Sequence, residues 1–160
     1  MLVISDTSPL CYLILIELTG LLPRLFERIL IPQSVYEELR ASGSPPAVCN
    51  WIADPPIWLE IEAIALPSDA VLETLDRGER EAIALAEQVQ ADLVLLDERR
   101  ARQVAIERGL GVVGLLGILG LAADYKLIDF AAAIDRLQET NFWASPTLIR
   151  SLLQKYQAEL

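Results

Sequence analysis

Short apolar runs alternate with longer amphipathic segments along the chain. Residues 2–4, 29–31 and 93–96 are entirely apolar, which predicts three short strands that are buried on both faces. Residues 58–64 alternate between apolar and polar side chains and predict a strand with one more exposed face. A short strand at residues 112–113 completes the predicted sheet.

Helical patterns fill the intervals between these strands. They occupy residues 10–18, 33–40, 78–90 and 98–108, and further helices are expected towards the end of the chain. Ser8 is predicted to cap the first of these helices, with Pro9 as its first residue. Strands that alternate with helices predict an α/β fold with three layers, α/β/α, around a mainly parallel central sheet.

The composition fits a single folded domain that spans residues 1–160. Hydrophobic residues make up 53% of the chain and the mean hydropathy is +0.38, so a sizeable core is available. The longest uncharged run, residues 109–123, is too short to span a bilayer. Cys11 and Cys49 are too few for a disulfide framework and lack metal-ligand spacing. We therefore expect a cytoplasmic protein that does not associate with membranes.

The chain contains no histidine and has a formal net charge of −10. The lack of histidine excludes the usual general base and imidazole metal ligands, so any chemistry must use carboxylates, arginines, hydroxyls or a metal. The negative charge argues against broad nucleic-acid affinity. Four arginines nevertheless cluster in sequence and form either a local basic patch or a solvated helix face: Arg99, Arg100, Arg102 and Arg108.

Four carboxylates are placed to meet at one rim of the predicted sheet. Asp6 and Asp97 each follow an apolar strand, and ligand sites in open α/β sheets lie beyond such carboxyl ends. Glu38 lies in the helix after the second strand, and Glu79 lies in the first turn of the helix that leads to the Asp97 strand. Each side chain taken singly has a structural explanation as a cap or a helix-surface residue. Together they indicate a divalent-metal site, and ligands that are all oxygen favour Mg²⁺ or Mn²⁺ over zinc.

Four segments, in chain order, resemble the successive blocks of PIN-domain proteins. They read Asp-Thr-Ser-Pro-Leu at 6–10, Ile-Pro-Gln-Ser-Val-Tyr-Glu-Glu-Leu at 31–39, Gly-Glu-Arg-Glu-Ala-Ile-Ala-Leu-Ala at 78–86 and Leu-Leu-Asp-Glu-Arg at 95–99. Residues 111–114 and 119–123 also suit the branch of short prokaryotic PIN proteins that are often considered toxins of toxin–antitoxin pairs. The resemblance extends from Met1 to the region of Leu153.

The resemblance implies an α/β/α fold and a Mg²⁺- or Mn²⁺-dependent endoribonuclease. The acids that match the family's catalytic and metal-binding positions are Asp6, Glu38, Glu79 and Asp97. Many PIN toxins have aspartate where this chain has Glu79, so the longer side chain changes the reach of that ligand. The acids that stay open as alternatives within their blocks are Glu37, Glu81 and Glu98.

The same resemblance implies the partners. RNA is the expected substrate, with Ser8 or Thr7 positioning phosphate or water and with Arg99 and Arg102 contacting RNA phosphates. An antitoxin protein is an expected partner, with Trp143 and the last helix as one contact surface. A homodimer is also expected, and the glycines at 114, 117 and 120 suit a helix face that packs either on a second subunit or in the chain's own core.

Other functions fit the sequence less well. Residues 109–114 match the Gly-x-Gly-x-x-Gly dinucleotide fingerprint, but they follow a helix rather than a strand. A haloacid-dehalogenase-like phosphatase requires aspartate where Ser8 stands. A phospho-receiver domain requires an aspartate at the end of a central strand, and the candidate, Asp54, precedes two prolines. The rival hypothesis is a catalytically inactive PIN-like scaffold that binds protein.

Overall fold

A computed structural model of the protein describes residues 1–157, and within that range five strands form a single sheet. The strands are β1 (Leu2–Ser5), β2 (Arg28–Pro32), β3 (Leu59–Glu62), β4 (Leu93–Leu95) and β5 (Val112–Val113). They are all parallel and lie in the order β3-β2-β1-β4-β5. The predicted parallel sheet is confirmed, and the strand expected at 58–64 is shorter than its alternating pattern.

Helices flank this sheet within the described residues. They are α1 (Thr7–Leu15), α2 (Leu21–Leu25), α3 (Gln33–Arg40), α4 (Pro46–Ala53), α5 (Arg77–Val89), α6 (Arg99–Glu107), α7 (Leu115–Asp124), α8 (Phe130–Gln138) and α9 (Pro146–Gln157). Within residues 1–157, none of them is both long enough and apolar enough to cross a bilayer.

Side chains of the central strands divide between two cores. Successive residues of a strand point to opposite faces of the sheet, so Val3 and Ile29 join one core while Ile4 and Leu30 join the other. Helices α1, α3, α4, α7 and α8 cover the first core, and α5 and α6 cover the second. Helices on both faces confirm the three-layer α/β/α architecture.

The first helix begins earlier than predicted, and the prediction that Ser8 caps it is wrong. Because β1 ends at Ser5 and α1 begins at Thr7, Asp6 occupies the N-cap position and Ser8 is the second residue of the helix. The backbone N–H of Asp6 donates to the carbonyl oxygen of Leu95 at 3.0 Å, which extends the pairing of β1 with β4 (Leu93–Leu95) by one residue. The connection from strand to helix is therefore too short for the longer turn that a cap at Ser8 requires.

Helix α4 was not predicted, because four prolines lie around it in the sequence. Pro46 is its first residue, where the missing N–H of proline removes no helical hydrogen bond. The prolines therefore start and follow a helix instead of excluding one.

The glycines at 109–114 have structural roles that their helix-to-strand context predicts. Gly109 ends α6 with φ +81°, a conformation that favours glycine. A Cβ on Gly111 would lie 2.7 Å from the carbonyl oxygen of Asp92, so only glycine fits there without a shift. Further along, a side chain on Gly120 would collide with Tyr156 of α9, so this part of the glycine-containing face packs within the chain.

The chain changes direction across the sheet at β1. It runs from β1 to β2 and β3 on one side, then returns to β4 and β5 on the other side of β1. The helices that follow β1 and β4, α1 and α6, pack on opposite faces. Connections that diverge in this way open a crevice at the carboxyl ends of the two strands, and Asp6 and Asp97 lie at that crevice.

Candidate active site

Asp6 lies at the carboxyl edge of the sheet, directly after β1. Its side chain is only 6% exposed. Burial is the largest cause that raises the pKa of Asp6 from 3.8 to about 8, and the negative charges of Asp76, Glu79 and Glu38 act in the same direction. A carboxyl group in these surroundings is costly to ionise unless a cation lies nearby.

Asp97 lies on the neighbouring connection, two residues beyond the end of β4. Its Oδ1 accepts a hydrogen bond from the backbone N–H of Leu115 at 2.8 Å, which ties the end of β4 to the first residue of α7. Its Oδ2 is buried and has no hydrogen-bond partner among the described residues. Burial raises the pKa of Asp97, while the Leu115 hydrogen bond and the charge of Arg102 oppose that rise.

Glu38 approaches Asp6 across Gly78, the second residue of α5. A Cβ on Gly78 would lie 3.1 Å from both Asp6 Oδ1 and Glu38 Oε2, so glycine makes room for the two carboxylates. The hydroxyl of Thr7 donates to Glu38 Oε2 at 2.5 Å. Glu37 points elsewhere and forms an exposed ion pair with Arg77 at 3.4 Å. Of the two neighbouring glutamates, Glu38 is therefore the one that faces Asp6.

Glu79 takes part in the N-terminal cap of α5. Its Oε1 accepts from the backbone N–H of Asp76 at 3.2 Å, and its own N–H donates to Asp76 Oδ1 at 2.9 Å, which makes a reciprocal capping box. Its side chain is buried, and burial followed by the charge of Asp76 raises the pKa of Glu79 to about 7. Glu79 therefore caps α5 and also lies among the acids of the site.

Asp76 is the acid that the sequence analysis missed. It lines the same cleft as the predicted acids, and its charge raises the pKa values of both Asp6 and Glu79. The signal that could have found it is the spacing of Asp76 and Glu79, since an acidic cap with glutamate three residues later is typical of a helix start.

The remaining alternative acids have different surroundings. Glu81 is buried and points to the start of α3, where its carboxylate accepts from the backbone N–H of Ser34 at 3.3 Å and from Arg77 Nε at 3.0 Å. Glu98 caps α6 by accepting from the backbone N–H of Ala101 at 2.8 Å, and it also lines the cleft. Glu81 thus joins two helices, whereas Glu98 stays beside the four predicted acids.

These acids share a cleft of about 560 Å³ with several aromatic and polar side chains. The described residues that line it and matter here are Asp6, Ser8, Tyr12, Glu38, Asp76, Glu79, Asp97, Glu98, Asn141, Phe142 and Trp143. Within residues 1–157, no group of three or more cysteine, aspartate or glutamate side chains is already arranged to hold a metal ion. The fold brings the four predicted acids to one cleft, and their roles as metal ligands stay predictions.

The predicted substrate-binding residues are placed unequally. Ser8 lines the cleft, and Arg99 lies exposed in the first turn of α6. Arg102 is half-buried and donates from Nη1 to the carbonyl oxygen of Leu96 at 3.0 Å, so it supports the end of β4. Arg108 forms ion pairs with Asp69 and Glu87, and neither of these acids lines the cleft.

Comparisons with known proteins assign the chain to a family. A family model with the description "DUF3368: PIN domain" matches residues 2–158. No curated protein and no solved structure gives a significant match. Since the family model covers nearly the whole sequence and the fold agrees with it, this chain belongs to the PIN-domain family.

Proposed function

We propose that this protein is a divalent-metal-dependent endoribonuclease that hydrolyses RNA phosphodiester bonds in the acidic cleft. Proteins of the PIN-domain family are generally nucleases. The observation that carries the proposal is the pair of acids at the switch point, the buried Asp6 and the half-buried Asp97, whose pKa values are raised by burial. Such groups are costly to keep in a fold, and a bound cation offsets that cost.

The donor set of the cleft fits Mg²⁺ or Mn²⁺. Its charged ligand atoms are carboxylate oxygens, which these hard cations prefer, and the chain has no histidine to favour zinc. Asp97 Oδ2 is a buried oxygen that lacks a hydrogen-bond partner among residues 1–157 and is free to bind a cation. The residues that would hold the metal are Asp6, Glu38, Glu79 and Asp97.

When bound, the metal supplies charge neutralisation, activation of a water nucleophile and stabilisation of the charge that develops on the scissile phosphate. The chain itself orients the acids. Thr7 fixes one oxygen of Glu38, and the N–H of Leu115 fixes one oxygen of Asp97. Gly78 leaves the space in which Asp6 and Glu38 approach each other.

Proton transfer in this cleft must also use a carboxylate, because no histidine is available. Efficient general bases have pKa values near the working pH. In the metal-free protein, burial and the charge of Asp76 raise the pKa of Glu79 to about 7. A bound cation would lower that pKa, so we assign Glu79 as a metal ligand and not as the general base.

A protein-binding scaffold is the second candidate function. It is favoured by the capping box that holds Glu79 and by the lack of a preassembled metal-binding group within residues 1–157. In a scaffold without a bound cation, the raised pKa of Asp6 would leave that carboxyl group largely protonated at neutral pH.

One comparison separates the two functions. The midpoint of thermal unfolding and the cleavage of single-stranded RNA are measured with and without Mn²⁺ for the wild type, Asp6→Asn and Asp124→Asn. Asp124 is an exposed acid at the end of α7, outside the cleft, and it provides the matched control. The nuclease predicts stabilisation by Mn²⁺ and cleavage that only Asp6→Asn abolishes. Equal behaviour of all three proteins, without stabilisation or cleavage, assigns the scaffold.

A toxin role and its partners extend the proposal. The family resemblance supports a toxin that is neutralised by a small antitoxin protein and that acts as a homodimer. Expression of the wild type should arrest bacterial growth, Asp6→Asn should not, and the product of a neighbouring reading frame should restore growth. Sedimentation of the purified protein measures the oligomeric state. Growth unaffected by an active nuclease would contradict the toxin role alone.

A further inference from the structure

Trp143 is a large apolar side chain that the fold leaves in solvent. It lies in the connection between α8 and α9, and 78% of its surface is exposed. It also lines the acidic cleft, together with its neighbours Asn141 and Phe142. An exposed indole contributes little to the stability of the folded state. Its placement beside the acids therefore calls for another role.

The connection that carries Trp143 is attached to the helix that begins at the site. The hydroxyl of Tyr12, on α1, donates to Asn141 Oδ1 at 2.7 Å. The Tyr12 ring also packs edge-on against Phe142, with 5.2 Å between ring centroids. Since α1 starts directly after Asp6, these contacts fix the backbone beside Trp143 relative to the buried acid while the indole stays exposed.

We propose that Trp143 is a substrate-binding residue that stacks a base of single-stranded RNA next to the scissile phosphate. This inference rests on the proposed nuclease function and names how its substrate is held. The acids of the cleft repel phosphate groups, so contacts to the backbone of RNA depend on a bound cation. Stacking on an uncharged ring does not carry that electrostatic cost, and every base can supply the stacking face.

The surroundings favour a base over a protein segment as the occupant. A helix that docks in a groove needs a row of apolar anchors, spaced along one face. On the cleft side, Trp143 lines the same surface as the polar Asn141 and several carboxylates, so a flat ring with polar edges matches this surface better than an aliphatic side chain. An unpaired base has this shape and chemistry.

The test measures steady-state RNA cleavage with Mn²⁺ and binding of a mixed-sequence single-stranded hexaribonucleotide by tryptophan fluorescence. The variants are Trp143→Ala, Trp143→Phe and Tyr125→Ala, where Tyr125 is an exposed aromatic residue at the end of α7 outside the cleft. Because Trp143 is exposed, its replacement should leave the unfolding midpoint near that of the wild type. The other two indoles, Trp51 and Trp58, form a separate pair with ring centroids 6.0 Å apart and serve as the fluorescence background.

We expect Trp143→Ala to raise KM roughly tenfold, with kcat nearly unchanged. Trp143→Phe should recover most of the affinity, and Tyr125→Ala should match the wild type. The hexaribonucleotide should quench the fluorescence of the wild type but not that of Trp143→Phe. This quenching is a signature that a merely structural role would not produce.

Failure of the inference is distinguishable from failure of the nuclease. Cleavage by the wild type with an unchanged KM for Trp143→Ala, or quenching that persists in Trp143→Phe, would overturn the stacking role and leave the nuclease standing. Trp143-dependent quenching without any cleavage would support the stacking role and remove the nuclease. Trp143-dependent binding of an apolar helical peptide, with no response to RNA, would assign the surface to a protein partner and overturn the inference.

Discussion

Asp6 and Asp97 are acids like Glu60 and Asp69, but the fold gives the two pairs opposite surroundings. Arg28 contacts Glu60 at 2.9 Å, and Arg108 contacts Asp69 at 2.9 Å, so each arginine holds the pKa of its partner below the usual range. At the switch point, burial raises the pKa values of Asp6 and Asp97. The first pair is already neutralised by the chain, whereas the second pair would be neutralised by a bound cation under the proposed function. The direction of the pKa shift separates structural acids from candidate catalytic acids more clearly than sequence position does.

The sharpest test of this contrast is replacement of Asp6. We expect Asp6→Asn to lower kcat/KM for RNA cleavage by about 100-fold or more, because a carboxylate in the reacting site is lost. Its unfolding midpoint without metal should be equal to or above that of the wild type, because a buried ionisable group is removed. Retention of full activity would end the assignment of Asp6 to the site.

The second prediction concerns pH. The pKa of Asp6 is about 8 in the folded protein and 3.8 as an isolated group, so between these values the folded state holds a proton that the unfolded state has lost. The free energy of unfolding should therefore fall as pH rises through this window, by at most about 1.4 kcal/mol per pH unit from this group.

Urea unfolding between pH 5 and pH 8 in the presence of EDTA measures this dependence. The slope should be shallower in Asp6→Asn and in wild type that is saturated with Mn²⁺. Parallel slopes in the wild type and the variant would show that Asp6 does not titrate in this range.

The third prediction tests the space between Asp6 and Glu38. Gly78→Ala places a methyl group 3.1 Å from both carboxylates and should lower kcat/KM about tenfold by displacing one of them. Because alanine favours helix more than glycine does, the loss of stability should stay small. Gly43→Ala is the control, since nothing lies within 4 Å of its added Cβ. Equal activity of both variants would mean that the approach of the two acids is unimportant.

The smallest effect is expected at the neutralised acids. Asp69→Asn removes the ion pair with Arg108 but can still accept hydrogen bonds from the backbone N–H groups of Val71 and Leu72. We expect only a small loss of stability and unchanged RNA cleavage, because solvent screens an ion pair at the surface. Because the pKa of Asp69 is lowered, its contribution is lost as pH falls, which is opposite in sign to Asp6. Thermal unfolding in low and high salt measures it, and a loss of cleavage would contradict the division of the acids.

Much of the fold was predictable because its elements follow local rules. The apolar run at 29–31 and Pro32 bounded β2, and helix α3 was predicted with the bounds that it has. The cap at Ser8 was wrong, because the pairing of Asp6 with β4 depends on a strand far away in sequence. Helix α4 was missed, because prolines mark both loops and helix starts.

The candidate site was likewise predictable only in part. Its four acids could be chosen from strand ends and family blocks, but no local pattern separates Glu38 from Glu37 or reveals that Glu81 faces α3. The hydrogen bond from Arg102 to the carbonyl oxygen of Leu96 could not be predicted either. The sequence of a charged helix face does not show which arginine binds the backbone and which one extends into solvent.

The sequence by itself determined the five strands and their order along the chain, the positions of Asp6 and Asp97 after two apolar strands, and a chemistry without imidazole. These properties depend on residue type and short-range periodicity. Tertiary structure alone decided the surroundings of each acid. Thr7 donates a hydrogen bond to Glu38 across 31 positions of sequence, the N–H of Leu115 donates one to Asp97 across 18, and Asp6 is buried. A partner is decided by which segments meet in space, and no local pattern carries that information.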